Sequence, residues 1–309
     1  MDTADFLSKL TNKSRSSIVD FLRLAPNKYR VYTIPKRSYG YRTIAHPTAN
    51  LKFLQRTFSE NFAFPTHAAA QAYISGKGIK SNATQHKNNC YLLKLDLEDF
   101  FNSIKPDLFW GVWDKAFQEL PSPASKEMLE QLLFWRPSRR IGHTLVLSVG
   151  APSSPAISNF CMYFFDVAIT NICELLEVKY TRYADDLTFS TNQKNILFEL
   201  PALIESTLKE EFSLQLNINK KKTKFSSKAH NRHVTGVTIT NDSTLSLGRS
   251  RKRYIKHLVH RATLKQLNTD ELNHLIGLLS FAHDIEPDFL TRLDAKYGDG
   301  SIQRIRSSI

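Results

Sequence analysis

The 309-residue sequence predicts an α+β fold, and three features carry that reading. Runs rich in β-branched and aromatic residues, 178–182 and 187–190, flank Tyr183-Ala184-Asp185-Asp186 as the two strands of a hairpin. A third apolar run over 92–97 reads as a strand that meets an acid, Asp96. Between and around them lie apolar stripes at helical spacing. One is Leu51, Leu54, Phe58 and Phe62; another is Leu200, Leu203, Ile204, Leu208 and Phe212.

The acids set the chemistry. Adjacent carboxylates at one turn repel, and each resists ionising beside the other until a cation removes the cost. Asp is also common in ordinary surface turns, so Asp185 and Asp186 alone decide nothing. Asp96 stands where a strand stops and a short helix should begin, a place that an N-cap or a solvated strand end also explains. Hard divalent ions, however, take carboxylate oxygens gathered from separate elements. Two such ions clamp both oxygens of a phosphoryl displacement. Asp96 with Asp185 and Asp186 is the minimal set for that reaction.

Composition narrows the class. Apolar residues make up 41%, enough for a sizeable core and too many for a disordered chain. No run of about 18 apolar residues suggests a membrane span, and the N-terminus lacks the pattern of a signal peptide. Cys90, Cys161 and Cys173 have no metal-type spacing and read as small hydrophobes in a reducing, cytoplasmic compartment. Net charge is +13. Residues 213–265 hold thirteen Lys or Arg and a single acid, Asp242, which leaves that block at +12 and the rest near neutral. A one-signed block of this kind fits a polyanion, and nucleic acid fits it better than a membrane surface, since no amphipathic anchor accompanies it.

The 92–101 block and Tyr183-Ala184-Asp185-Asp186 together resemble the palm of reverse transcriptases. Two more blocks sharpen the likeness. Asn82-Ala83-Thr84-Gln85-His86 matches the Asn-Ala-x-x-His signature of bacterial retron reverse transcriptases, and Val234-Thr235-Gly236 matches their second signature, after the palm. The likeness runs from about Tyr29 to the C-terminus. It implies a right-hand polymerase: an N-terminal helical extension over 1–28, fingers over 29–90 with parts of 105–148, a palm with an antiparallel sheet over 91–240, and a short helical thumb over 241–309. No nuclease or maturase domain is expected after it.

The resemblance also implies roles. Asp96, Asp185 and Asp186 would be catalytic and, with Leu97, would hold two Mg²⁺ ions. Lys36 and Arg42, on a fingers hairpin of strands 29–35 and 41–44, would hold the triphosphate of the incoming deoxynucleotide. Phe101, five positions after Asp96, would crowd the sugar 2′-position, where a ring admits CH₂ and rejects a hydroxyl; the product would be DNA. Gly150 and Tyr183 would lie against the nucleotide, and Lys222 beside the triphosphate. Asn82, His86, Val234, Thr235 and Gly236, with Arg249, Arg251, Lys252, Arg253 and Lys256 of a basic helix, would meet RNA. Members usually carry Gln before the glycine of their Gly-Ala-Pro block; here it is Val149, and a polar contact to the nucleotide is missing.

Activity and partners follow from the same likeness. The protein would copy part of its own non-coding RNA into a short multicopy single-stranded DNA, primed from an RNA 2′-hydroxyl. A toxic effector protein in an anti-phage system would accompany it. Two competing readings are a non-catalytic RNA-binding scaffold, hinted at by Val149, and an untemplated abortive-infection polymerase, which the two retron signatures do not fit.

The remaining expectations are local. Residues 106–135 read as helical, with Trp110, Trp113, Phe117, Leu129, Leu132 and Leu133 inside. Residues 139–144 read as a small hairpin. Ser153 and Pro155 open a helix with Ile157, Phe160, Cys161, Phe164, Ala168 and Ile172 as its stripe. Residues 214–219 and 233–239 read as strands. Ile255, Leu258, Val259 and Ala262 face inward on the basic helix, and two helices, around 269–283 and 286–298, follow it.

Overall fold

The computed structural model describes residues 2–36, 40–140, 142–213 and 215–307. Arg37 of the expected fingers turn, Ile141 of the expected 139–144 hairpin and Leu214 of the expected 214–219 strand lie outside them.

Helices α1 (Thr3–Thr11) and α2 (Arg15–Arg23) start on side-chain caps from Asp2 and Ser14. They are no appendage: Ala4, Leu7, Ile18 and Leu22 are sealed into the main core. Strands β1 (Tyr29–Pro35) and β2 (Tyr41–Pro47) form the expected basic hairpin, in register from Tyr29↔Pro47 to Pro35↔Tyr41. Helix α3 (Ala49–Asn61) buries Leu51, Leu54 and Phe58 as its spacing predicts. Helix α4 (Ile79–His86) carries the Asn-Ala-x-x-His block, and strand β3 (Tyr91–Asp96) and the single-turn helix α5 (Phe100–Ser103) follow.

The stretch 106–135 is two helices, α6 (Pro106–Phe117) and α7 (Pro123–Leu133). Gln118 turns left-handed, φ +54°, and a proline opens α7, so one continuous helix is impossible. Residues 139–144 belong to the connection between two short paired strands, β4 (Phe134–Trp135) and β5 (Val146–Leu147), rather than forming a hairpin themselves. The helix after Pro155 is also two, α8 (Ser154–Cys161) and α9 (Tyr163–Leu175), bent by 48°. Past the bend the buried stripe moves by one residue, to Phe165, Ile169 and Cys173, away from Phe164, Ala168 and Ile172. No single helix among the described residues is long and apolar enough to cross a membrane.

Strands β6 (Lys179–Tyr183) and β7 (Asp186–Thr191) make the acid-tipped hairpin, and α10 (Leu200–Phe212) follows it. Among the described residues of 214–219 there is only an isolated bridge, Ile218 to Leu97; the neighbouring strand is instead β8 (Lys224–Ser227). The palm sheet runs β6-β7-β3-β8, antiparallel throughout. Leu93, Leu95, Leu187 and Phe189 of one face share the main core with Ile169, Leu200 and Ile204 of the helices.

The 233–239 stretch folds back on itself as β9 (Arg232–Val234) and β10 (Val237–Ile239), with Thr235 and Gly236 at φ +46° and +82° in the turn. Two successive left-handed residues suit a two-residue hairpin loop, and glycine takes the second without penalty. β11 (Leu245–Ser246) completes this small sheet. The stretch expected as the thumb holds α11 (Arg249–Thr263), α12 (Thr269–Ile285), α13 (Pro287–Tyr297) and a further short helix, α14 (Ser301–Arg306), around a second core.

α4 joins the two cores. His86 sits with no exposed surface against the polar face of the palm sheet, Nδ1 2.7 Å from Ser190 Oγ and Nε2 2.7 Å from Thr181 Oγ1. The neighbours fix its tautomer. The Thr181 hydroxyl donates to Asn82 Oδ1 at 2.6 Å, so it must accept from His86 Nε2–H. Nδ1 then accepts from Ser190, whose oxygen accepts from Asn89. Asn82 passes the chain on to Thr235 Oγ1 at 3.4 Å. Burial, with Lys179 adding to it, lowers the His86 pKa to about 3. In the unfolded chain the ring protonates near 6.5, so there the proton favours unfolding. The tie is at full strength above that pH and weakens as pH falls below it, by up to about 1.4 kcal/mol per unit. In denaturant titrations the stability gap between wild type and His86→Gln should therefore narrow from pH 7 to pH 5. A gap constant with pH would contradict the neutral, buried ring.

Candidate active site

The antiparallel register places Asp96, last residue of β3, directly opposite Asp186, first residue of β7. Asp185 precedes it in the tight turn Ala184-Asp185. The strand ends are stitched together: Leu97 N–H donates to Asp185 O at 3.0 Å, and Asn219 N–H donates to Asp96 O at 2.7 Å. Three carboxylates thus converge at one end of the sheet. Asp96 and Asp186 border a cleft of about 430 Å³ shared with Lys94, Lys221, Lys222 and Lys224.

Electrostatics show what this arrangement costs. Burial first, then Asp185 and Asp96, raise the Asp186 pKa to about 6. Asp185 is raised too, chiefly by burial, with Asp96 adding to it. Lys222 supplies the local counter-charge, its Nζ 2.8 and 2.9 Å from the two Asp96 oxygens. Among the described residues no three His, Cys, Asp or Glu side chains are already arranged around a common metal position. The donor set still suits a hard divalent cation: carboxylate oxygens brought together by two strands, with mutual repulsion that the lysines relieve only in part. Asp96, Asp185 and Asp186, with Leu97 alongside, are the residues able to hold it.

The other expected residues divide. Arg42 lies close enough for its charge to act on Asp185. Lys36 is exposed beside the undescribed turn. Phe101 is half-buried against the main core, edge-on to the buried Phe100 at 5.4 Å. Gly150 has φ +124°, and a Cβ there would press on Ala45 O and Ile44 Cγ2 at 3.2 Å. This glycine therefore allows the close palm–fingers approach, where Ala45 N–H donates to Val149 O. Tyr183 pairs with Asp186.

Several nucleic-acid assignments need correction. Asn82, His86 and Val234 are buried, so their side chains tie α4 and the β9–β10 hairpin together instead of meeting RNA directly. Thr235 is half-buried and Gly236 exposed at the turn. On α11, Lys252 is not free: it pairs with Glu286 at 2.6 Å, an acid that packing brings from outside the basic block. Arg251 stacks on Phe281 and donates to Gly236 O. Arg249, Arg253 and Lys256 remain exposed.

Sequence reasoning missed three groups. Tyr73, left-handed at φ +63°, has its phenol pKa raised by burial and then by Asp185. Lys94 shares a strand face with Asp96 two residues on; that alternation was the available signal. The third is an ion pair beneath the hairpin. Arg182 and Asp166 are both fully buried, 2.6 Å apart. Arg182 also donates to Asn159 Oδ1 and to the carbonyl of Ala184, the left-handed residue (φ +56°) next to Asp185.

A family profile described as reverse transcriptase (RNA-dependent DNA polymerase) matches residues 34–239. Retron Ec83 reverse transcriptase of Escherichia coli is 48% identical over 90% of this chain and 89% of its own. The chain belongs to the bacterial retron reverse transcriptases. Retron Ec73 reverse transcriptase, also of Escherichia coli, is 34% identical over 88% of each chain. Among solved structures, Candida albicans telomerase in complex with a fragment of telomeric RNA superposes with a TM-score of 0.50 at 11% identity, covering 91% of this chain and 61% of that one. That likeness is one of fold. This retron reverse transcriptase is accordingly a right-hand polymerase and an RNA-directed DNA polymerase, of a family that generally uses divalent metal ions.

Asp166→Asn should strand the Arg182 charge and cost about 3–5 kcal/mol in urea titrations. The double variant Asp166→Leu/Arg182→Met should recover much of that stability but not polymerase activity, because Ala184 O loses its anchor. Full activity in the double variant would show that the pair does not position Asp185.

Proposed function

We propose that this reverse transcriptase copies part of its own non-coding RNA into short multicopy single-stranded DNA, beginning from an RNA 2′-hydroxyl. It would act in the cytoplasm, with an effector protein, in defence against phage. The observation that carries the chemistry is the convergence of Asp96, Asp185 and Asp186 at one end of the sheet, beside a lysine-lined cleft that Asp96 and Asp186 border. The retron relatives and the two interlocked signature blocks favour templated synthesis over an untemplated polymerase.

Two Mg²⁺ ions held by the three acids and Leu97 would lower the pKa of the attacking hydroxyl and neutralise the leaving oxygens. The chain supplies the rest. Arg42 and Lys36 face the triphosphate from the fingers, and Lys222, released from Asp96, gives its proton to the departing pyrophosphate. Phe101 closes the space beside the sugar 2′-carbon, while Gly150 and Tyr183 line the nucleotide. Arg249, Arg253 and Lys256 hold RNA phosphates along the outer side of α11.

The direct test is primer extension on an annealed RNA template with deoxynucleotides and Mg²⁺. Asp185→Asn keeps the side chain's shape and removes its charge, so synthesis should be abolished while the fold and RNA affinity persist. Extension at the wild-type rate would remove Asp185 from the chemistry. Phe101→Ala should lower discrimination against ribonucleotides by about tenfold or more. An unchanged incorporation ratio would make Phe101 a core residue only.

A further inference from the structure

The palm sheet ends at β8, whose outer edge carries features that the chemistry above does not use. Phe225 on this strand is 40% exposed, and Phe198, from the turn before α10, is 63% exposed. Their rings pack at 5.0 Å. Beside them opens a cavity of about 310 Å³, lined also by Tyr91, Gln193, Lys194 and His230. That volume lies at the small end of the range for ligand clefts.

The backbone is available as well. Lys228 N–H donates to Cys90 O, which makes 90 and 228 a hydrogen-bonded pair. By alternation the N–H and C=O of Phe225 then point away from β3, towards the open edge. Lys194 and His230 line the cavity, Lys228 follows the strand, and among the described residues no acid lines it; Lys224 points to the other face of β8, into the cleft of the acids. The site is separate from the three acids. Phe225 pairs with Leu93, three residues before Asp96, which is about 10 Å along β3 at strand spacing.

We propose that this edge is a second RNA site, in which an unpaired base of a single strand stacks on Phe198 and Phe225 while lysines meet its phosphates. Exposed aromatics interleaved with lysines are the physical requirement for single-strand binding, since every base offers a face to stack. Asn195 and Ser226 add hydrogen-bonding groups for a 2′-hydroxyl. A strand-adding peptide could use the same backbone edge, but it would leave the lysines without a counter-charge. The inference rests on the proposed use of RNA as template and partner.

The test uses the full chain with its cleft saturated by an RNA–DNA hybrid, and a labelled single-stranded oligouridylate as probe. Phe198→Ala should weaken oligouridylate binding about tenfold. Phe198→Tyr should restore it, and Lys194→Gln should weaken it at low salt. All three should extend an annealed primer at the wild-type rate. 5-Iodouridine in the probe should crosslink to Phe198 or Phe225. Unchanged affinity in Phe198→Ala, with crosslinks confined to other surfaces, would overturn the site. So would a deoxyuridine oligomer bound as tightly as the RNA, or a purified effector whose binding alone is lost in Phe198→Ala. Loss of oligouridylate binding with no primer extension by any form would support the site while refuting the polymerase reading.

Discussion

A guanidinium and a carboxylate with no access to water hold the acid-bearing hairpin in place. Arg182 and Asp166 each have no exposed side-chain surface, and a lone charge so placed would cost several kcal/mol. The cost is offset by saturation. Asp166 takes three contacts from Arg182 and one from the Tyr180 hydroxyl. Arg182 spends its Nη1 donors on Asn159 and on Ala184 O, and Asn159 reaches back to Ala72 O. One guanidinium therefore ties together α8, α9, the residues before α4 and the turn that presents Asp185.

Asn159 on α8 and Asp166 on α9 lie on either side of the 48° bend and both reach the same guanidinium. The same bend shifts the buried stripe by one residue. A packing pattern and an electrostatic requirement thus have one geometric origin.

The acids themselves were legible. Asp96 at a strand end, and Asp185 and Asp186 at a hairpin tip, follow from local residue patterns, and pairing only had to bring the strands together. Helical stripes gave α3, α10 and the thumb for the same local reason. What failed was non-local. Glu286, far along the chain, receives Lys252, and no reading of the basic block could show it. Asn82 and His86 stand out as a motif, but only packing places them inside, in a hydrogen-bond chain from Asn89 to Thr235. The short strand patterns misled wherever a single turn intervened: 233–239 holds a hairpin because Thr235 and Gly236 both turn left-handed, and the edge strand is 224–227, past Lys220–Lys222.

The buried ties and the open cleft divide the work of the molecule. Arg182 with Asp166, and His86 with its hydroxyl neighbours, fix the palm to the elements around it, which leaves the acids and lysines free to face a polyanion. The most direct measurement is to purify the protein from its host and sequence the nucleic acid that comes with it, before and after treatment with an enzyme that cleaves 2′,5′-linkages. The account predicts a short DNA, complementary to part of an associated RNA and released from it only by that cleavage. RNA alone, or DNA with no template in the associated RNA, would contradict it.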